Sequence, residues 1–378
     1  MAAPAQHSAP SPAPSPASHR PWHWTVSVPA GAALLLVVTW GRDLPPVLVA
    51  VVAVLLGGAV LAAVHHAEVV AHRVGEPFGS LVLAVAVTVI EVALIVTLMV
   101  GGGDKTATLA RDTVFAAVMI TCNGVVGLAL LVAALRRQVA VFNAEGTGGA
   151  LATVTTLATL SLVVPSFTTG RSTPEFTSPQ LAFAALASLG LYGLFVAVQT
   201  VRHRDYFLPI TTSGRIVGAE EHAAPPTDRQ ALTSLGLLLV ALVAVVGDAK
   251  TISPAIERGV AAAGFPQAVV GVVIALLVLL PETVAAVRAA RRDRVQTSLN
   301  LGYGSAMASI GLTIPAIAIA SIFLDGPLVL GLGPTEMVLL ALTVVVGTLT
   351  VVPGRATLLQ GGVHLAVLSA FLFLAVSP

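Results

Sequence analysis

Two glutamates lie deep inside long apolar runs, and their surroundings suit them for chemistry. Glu282 stands in the run GFPQAVVGVVIALLVLLPETVAAVRAA, directly after Pro281. A carboxylate at that depth is costly and is a functional candidate by default. Because Pro281 has no N–H, the carbonyl of Leu277, four residues earlier, loses its helical partner. A carboxylate and a free carbonyl one turn apart form the kind of oxygen cluster that binds hard cations.

The same layout surrounds Glu91, in the segment GEPFGSLVLAVAVTVIEVALIVTLMV. Each glutamate ends an apolar run that begins near a glycine: Glu91 is twelve residues after Gly79, and Glu282 is eleven after Gly271. A pattern shared by two halves of an apolar chain is typical of transporters built from repeats, whose substrate site lies where the halves meet. We therefore expect both glutamates at one midplane site.

Polar side chains near the two glutamates are candidate partners for a cation. Thr88 shares a helix face with Glu91, three residues away, and Asn123 lies inside the next apolar run. Ser305 and Ser309 are four residues apart in the run that follows the second glutamate. Each also has a plainer alternative: Thr88 bonds within its own helix, Asn123 ties two helices together, and the serines allow close helix packing.

Composition indicates what must position these residues. The chain has 378 residues, 56% of them hydrophobic and only 10% charged, whereas soluble domains carry about 25% charged residues. Apolar runs long enough to span a bilayer recur along nearly the whole chain. The single Cys122 excludes a disulfide framework. The sequence predicts an all-α integral membrane protein that contacts the lipid bilayer and has no cofactor and no nucleic acid partner; its oligomeric state stays open.

Eleven transmembrane helices are predicted. The stretch 252–263 is too short to span by itself, and it either lies at the membrane interface or extends the seventh helix. The predicted spans are 24–41, 46–71, 78–100, 113–135, 148–165, 179–201, 230–247, 266–287, 298–323, 334–352 and 357–376.

The spans divide into one extra helix and two halves of five helices each. Residues 1–22 are rich in Pro, Ala and Ser and are expected to form a disordered cytoplasmic tail. The extra first helix takes residues 23–45, and the first five-helix repeat takes 46–201. A polar cytoplasmic linker, 202–229, then leads to the second five-helix repeat, 230–378.

The distribution of Lys and Arg predicts the orientation. With the N-terminus in the cytoplasm, the cytoplasmic segments hold thirteen basic residues and the external segments hold six. The third helix then runs outward and the eighth runs inward, so the two halves form an inverted repeat. The C-terminus at Pro378 is expected outside. The excess of Ala, Gly and Val, with Arg favoured over Lys, indicates a bacterial inner membrane protein.

Three segments carry a family resemblance: the run around Glu91, LPETVAAVRAARRDRVQTSLNLGYGSAMASIGLTIPA, and GRATLLQGGVHLAVLSAFLFL. They resemble bacterial calcium/proton antiporters of the ChaA type, in the calcium/cation antiporter superfamily, over nearly the whole chain after the tail. The resemblance implies one ion-binding glutamate per repeat, matching Glu91 and Glu282, with Asn123, Ser305 and Ser309 in the helices that follow. It also implies export of Ca²⁺, and in this subgroup of Na⁺ or K⁺, in exchange for incoming protons.

The chain departs from the superfamily at the residues before the glutamates. The wider pattern is Gly-Asn-Ala-x-Glu, whereas this chain has Thr-Val-Ile before Glu91 and Leu-Leu-Pro before Glu282. Fewer side-chain amides are therefore available, and the preference for calcium over monovalent ions stays open.

Two ionised carboxylates that are close together in a low-dielectric site need compensation. A divalent cation, two protons, or one monovalent cation with one proton would provide it, and mutual exclusion among these states is the physical basis of antiport. No Lys or Arg lies inside a predicted span, which argues against a structural ion pair. The rival functions are a sodium/calcium exchanger of the same superfamily, a channel, and a membrane-embedded metal-dependent enzyme, which would need an Asp-rich motif that the spans lack.

Histidines form a second candidate group. The sequence HHAEVVAH, at the end of the second span, contains His65, His66, Glu68 and His72. Its spacing differs from the HExxH pattern of zinc proteases. The remaining alternatives are a cytoplasmic mouth that attracts cations or senses pH and an ordinary polar helix end. His364 has no partner in the sequence, so a packing role is its default interpretation.

Overall fold

Helices make up nearly all of the structure, a computed structural model that describes residues 22–75, 78–100, 106–171, 174–210, 226–324 and 326–378. The tail up to residue 21 and the linker residues 211–225 lie outside the described residues. Eleven long helices are described: α1 (Trp22–Thr39), α2 (Pro46–Val74), α3 (Phe78–Met99), α4 (Leu109–Arg137), α5 (Ala144–Phe167), α6 (Ser178–Arg202), α7 (Asp228–Ala262), α8 (Ala268–Arg291), α9 (Val295–Ala320), α10 (Pro334–Val351) and α11 (Leu358–Val376).

Every predicted span coincides with one of these helices, so the all-α membrane fold is confirmed. Nine of the eleven described helices are long and apolar enough to cross a membrane by length and composition. The apolar parts of α1 and α3, Trp24–Thr39 and Ala84–Met99, are shorter.

Two helix boundaries differ from the sequence expectation. Helix α7 continues to Ala262, so the stretch 252–263 extends the seventh helix, as one of the two alternatives predicted. Helix α4 begins at Leu109, four residues before the predicted span, so Arg111 lies in its first turn. The Arg111 guanidinium is neutralised locally, since it contacts the Asp112 carboxylate at 2.7 Å and the Gly331 carbonyl at 3.2 Å.

Local sequence fixes where several helices begin. A Thr-x-x-Gln capping box starts α6, α7 and α11, and in each the glutamine side chain bonds back to the threonine N–H. Asn143 caps α5 by accepting a hydrogen bond from the N–H of Gly146. These side chains satisfy backbone donors that a helix start leaves free.

The two halves pack with matching partners. Helix α2 packs against α7; α3 packs against α9, as α8 packs against α4; and α6 packs against α9, as α11 packs against α4. This is the pattern expected if a pseudo-two-fold axis exchanges the first five helices after α1 with the last five.

Short backbone pairings outside the helices follow the same symmetry. Strand β1 (Ala140–Val141), between α4 and α5, pairs antiparallel with β2 (Arg355–Ala356), between α10 and α11. Glu175, between α5 and α6, pairs with Val329, between α9 and α10. Exchanging the halves converts one pairing into the other, so two symmetry-related backbone pairings connect the two halves.

Helix α4 lies at the centre of the bundle. Every residue from Thr113 to Gly127 is buried, and the stretch Ile120–Val125 is wound as a π-helix. Gly271 of α8 approaches α4 so closely that a Cβ there would lie 3.0 Å from the Thr113 nitrogen. The glycine that the sequence pattern placed before Glu282 therefore allows two helix backbones to meet.

Candidate cation site

A cavity of about 370 Å³ lies between α3, α6, α8 and α9. Five of the seven residues predicted for the site line it: Glu91, Glu282, Thr88, Ser305 and Ser309. The two carboxylates come from symmetry-related helices of the two halves, as the repeat predicted. No Lys, Arg or His is among the residues that line this cavity in the described part of the chain.

Glu91 is held at the cavity wall by a serine of the other half. Its side chain is 4% exposed, and the Ser309 hydroxyl donates a hydrogen bond of 2.5 Å to Glu91 Oε1. Thr88, one turn earlier on α3, is also buried. Hydrogen bonds from hydroxyl to carboxylate are short and strong, so this contact joins α3 firmly to α9.

Glu282 differs from Glu91 in its exposure and in its hydrogen bonding. The residue is half-buried at the cavity, and its Oε2 is buried without a protein hydrogen-bond partner among the described residues. A buried carboxylate oxygen without a donor is costly unless a proton or a cation binds it. The geometry therefore leaves one carboxylate oxygen available at the cavity for such an ion.

Three polar residues of the cavity wall were missed by sequence reasoning: Gln199, Thr297 and Asn300. Thr297 continues the four-residue spacing of Ser305 and Ser309 along α9, and this signal was available in the sequence. Asn300 donates to the Phe207 carbonyl at 2.7 Å. Its position beside the end of α6 depends on tertiary contacts and had no sequence signal.

Measured along the helix axes, the cavity is confined to one end of the bundle. It is lined by the N-terminal half of α9, the C-terminal part of α6 and the stretch of α3 from Ala84 to Glu91. It thus extends from the two glutamates toward the end of the molecule where α6 and α8 finish and α9 starts. Arg202, Arg291 and Arg294 belong to that end of the bundle.

Asn123 lies in the π-helical stretch of α4 and does not line this cavity. Its amide donates to Thr343 Oγ1 at 2.9 Å, and its carbonyl oxygen lies 3.3 Å from His364 Nδ1. His364 Nε2 in turn lies 3.1 Å from Thr350 Oγ1. The structure thus gives Asn123 a buried network that joins α4, α10 and α11, and gives His364 polar partners that the sequence did not indicate.

Leu277 also lies away from the cavity lining. Its side chain packs on Gly57 of α2. Helix α8 continues through Pro281, which is inside it. That the Leu277 carbonyl binds the cation remains a prediction.

Two histidines of HHAEVVAH, His65 and His66, lie at the contact with α1. His66 is buried, with its Nε2 3.0 Å from the Thr25 carbonyl, and His65 lies between the rings of His66 and Trp24. In the described residues no three His, Cys, Asp or Glu side chains converge to hold a metal ion. Two of the four polar residues in this motif therefore pack the extra first helix onto α2.

A third buried carboxylate was missed. Asp248 is fully buried in α7, and neither of its oxygens has a hydrogen-bond partner among the described residues. The predicted seventh span ended at residue 247, which placed Asp248 in a loop. Its position directly after the apolar run LLLVALVAVVG is the sequence feature that could have indicated a buried carboxylate.

An ion pair lies at the end of the bundle toward which the cavity extends. Arg137, at the end of α4, contacts Asp293 in the turn between α8 and α9 at 2.7 Å. This guanidinium lowers the pKa of the Asp293 carboxyl from its ordinary value. Asp293 adopts a φ of 60°, a left-handed conformation that tight turns use. The contact holds α4 against the turn that joins the two helices of the site.

Comparison with known proteins identifies the family. Residues 44–201 and 233–377 match the family described as sodium/calcium exchanger protein. The chain belongs to this family. One relative is the ionic transporter y4hA of Sinorhizobium fredii (strain NBRC 101917 / NGR234), 46% identical over 364 residues that cover 94% of this chain and 96% of the relative.

Another relative is the sodium-potassium/proton antiporter ChaA of Escherichia coli (strain K12), 32% identical over 344 residues, or 90% of this chain and 93% of ChaA. The crystal structure of the H⁺/Ca²⁺ exchanger CAX has the same fold, with a TM-score of 0.67 at 16% identity, covering 92% of this chain and 86% of that one.

Membership in the sodium/calcium exchanger family fixes the broad function. The chain is a multi-pass membrane antiporter of cations, consistent with a bacterial inner membrane. The family and these relatives are transporters, so the enzyme alternative is set aside and the resemblance found in the sequence is confirmed.

Proposed function

We propose that this protein moves Ca²⁺ out of the cytoplasm in exchange for protons, by alternating access at a midplane site formed by Glu91 and Glu282. The observation that carries the proposal is that these two carboxylates, one from each half, line a single cavity whose described lining has no basic residue. Glutamates in such a place need protons or cations as counter-charges.

The donor set suits a hard cation as cargo. Two carboxylates match the charge of Ca²⁺, and the hydroxyls of Thr88, Ser305 and Ser309 are neutral oxygen donors on the same cavity wall. Water would complete the six to eight oxygens that Ca²⁺ takes. Because Ca²⁺ and two protons compensate the same two charges, the site is expected to hold one or the other.

The same chemistry accommodates a monovalent ion. One Na⁺ or K⁺ together with one proton also compensates two carboxylates. The name of the ChaA relative supports this mode, and the name of CAX, which shares the fold, supports calcium. We infer that the chain accepts Ca²⁺ and also Na⁺ or K⁺, each exchanged for protons.

The direction of the cavity supports a cytoplasm-facing state. The positive-inside distribution assigns the end that carries Arg202, Arg291 and Arg294 to the cytoplasm. The cavity extends from the glutamates toward that end. In this conformation the site is poised to load a cation from the cytoplasm or to release a proton into it.

Flux measurements on the purified protein in liposomes test the proposal. An imposed proton gradient should drive movement of Ca²⁺, and of Na⁺ or K⁺ when each is supplied alone. Glu91→Gln and Glu282→Gln should each abolish this flux, because an amide cannot ionise or release a proton. Glu145→Gln, an exposed glutamate in the first turn of α5, is the matched control and should transport normally.

Two results would overturn the proposal. Proton-coupled flux at the original rate in either Gln variant would place the site elsewhere. Calcium movement that needs a sodium gradient and ignores the proton gradient would instead favour the sodium/calcium exchanger.

A further inference from the structure

A second cavity, of about 340 Å³, lies where the turn after α1 meets the middle of α7. Trp40, Arg42 and Asp43 line one side of it, and Lys250 and Thr251 line the other. Gly41 adopts a φ of 69°, so the turn relies on a residue without a Cβ to bring Trp40 and Arg42 over α7. None of these residues belongs to the glutamate cavity.

The charges at this second cavity favour an anion. The Lys250 ammonium lies 5.5 Å from the centre of the Trp40 ring, a cation–π contact. Neither Arg42 nor Lys250 has a carboxylate within ion-pair distance in the described part of the chain, and both are exposed. The Asp43 carboxylate is shared with Arg258 at 4.0 Å, a solvent-exposed pair that binds weakly. Two cations therefore remain uncompensated beside an aromatic ring.

The depth of this cavity can be read from helix lengths. The ion pair between Arg73 and Asp228 marks one polar end of α2 and α7. Lys250 follows Asp228 by 22 residues along α7, which is roughly 33 Å at 1.5 Å per residue. The hydrocarbon core of a bilayer is about 30 Å thick. Trp40 and Lys250 thus lie at the opposite membrane interface from that ion pair.

We propose that this cavity binds the phosphate headgroup of an anionic phospholipid. Trp favours the membrane interface, where its ring sits among headgroups. Arg and Lys are the side chains that recognise phosphate. The lipid's phosphate oxygens would contact Arg42 and Lys250, and its acyl chains would lie along the exposed apolar surface of α1, which includes Leu34, Val37 and Val38.

Tryptophan fluorescence can report on the cavity directly. The chain has three tryptophans, and substituting Trp22→Phe and Trp24→Phe leaves Trp40 as the sole emitter. The protein in neutral detergent would be titrated with phosphatidylglycerol carrying brominated acyl chains, with phosphatidylcholine carrying the same chains, and with sodium phosphate. Phosphatidylglycerol should quench Trp40 at a lower mole fraction than phosphatidylcholine, and sodium phosphate should not remove that preference.

Charge variants make the test specific. Arg42→Gln and Lys250→Gln should each weaken the phosphatidylglycerol response by about fivefold, the factor expected for one interfacial charge. Lys250→Arg keeps the positive charge and should therefore keep the phosphatidylglycerol response. Arg291→Gln together with Arg292→Gln removes two charges at the other end of the bundle and should leave the response of Trp40 unchanged.

The proposal fails if the two lipids quench equally or if the Gln variants respond like the parent protein. It also fails if free phosphate abolishes the preference for phosphatidylglycerol, since the cavity would then be a site for the ion. These outcomes are independent of the cation exchange assay, because no residue of this cavity lines the glutamate site.

Discussion

Ser309 of α9 donates a 2.5 Å hydrogen bond to Glu91 of α3, so the serine of one half holds the candidate ion-binding carboxylate of the other. The contact fixes one oxygen of Glu91. It crosses the interface between halves at which an alternating-access transporter must rearrange.

Ser309→Ala is expected to weaken apparent cation affinity. A hydrogen bond to a charged group contributes about 1.5–3 kcal/mol, and losing the ordering of Glu91 should raise the KM for the cation roughly tenfold or more, while the protein still inserts in the membrane. The measurement is initial flux against cation concentration in liposomes. Ser369→Ala, an exposed serine that bonds only within α11, is the control. An unchanged KM in Ser309→Ala would show that the contact has no part in binding.

Transport should increase as pH rises on the side where the cation loads. Protons and cations compete for the oxygens of Glu91 and Glu282, so a lower proton concentration leaves more carboxylate for the cation. The measurement is flux with the loading-side pH varied and the opposite side held constant. Glu91→Asp and Glu282→Asp should keep this pH dependence but change the ranking of Ca²⁺, Na⁺ and K⁺, because each carboxylate retreats by one methylene. A flux that is independent of pH would contradict competition.

Pro281→Ala tests the carbonyl of Leu277. If Pro281 frees that carbonyl for the ion, alanine restores the helical hydrogen bond, removes a ligand and weakens apparent cation affinity at a normal level of protein in the membrane. Pro315→Ala, in α9, is the matched control for loss of a helix proline. Equal affinity in Pro281→Ala and the parent protein would make the proline a simple bend.

Reporter fusions test the orientation predicted from Lys and Arg. A reporter at Arg204, after α6, should lie in the cytoplasm, and one after Pro378 should lie outside, because five helices separate the two sites. An alkaline phosphatase fusion should therefore be inactive at the first site and active at the second. Equal signals at both sites would contradict the inverted arrangement of the halves.

Gly271→Ala should destabilise the contact between α8 and α4. The added Cβ would meet backbone and side-chain atoms of Asp112 and Thr113 at 3.0–3.1 Å. Overpacking of this kind costs about 1–3 kcal/mol, so the thermal unfolding midpoint in detergent should fall. Gly190→Ala, a helical glycine of α6 with open space around its Cβ position, should leave the midpoint unchanged or raise it. Equal midpoints for the two variants would mean that α8 can move away from α4 without cost.

Part of this architecture could be predicted from sequence because its causes are local. A helix in a membrane needs a run of about twenty apolar residues, so the eleven runs predicted the eleven helices, although their ends shifted where polar residues such as Arg111 or Lys250 lie inside a helix. The repeat of an apolar run that ends in glutamate likewise indicated that Glu91 and Glu282 lie together, and the structure places both at one cavity.

What the sequence alone determined, then, is the helical membrane fold, the shared location of two glutamates and, through the family resemblance, the antiporter class. Only the tertiary structure decided which polar side chains accompany those glutamates. Asn123 and Ser309 both follow a glutamate helix in sequence, yet Ser309 bonds to Glu91, while Asn123 faces Thr343 and His364. The physical reason is that contacts between helices depend on rotation and register, which the packing of α4 against α8, α9 and α11 sets and which no spacing along one helix encodes.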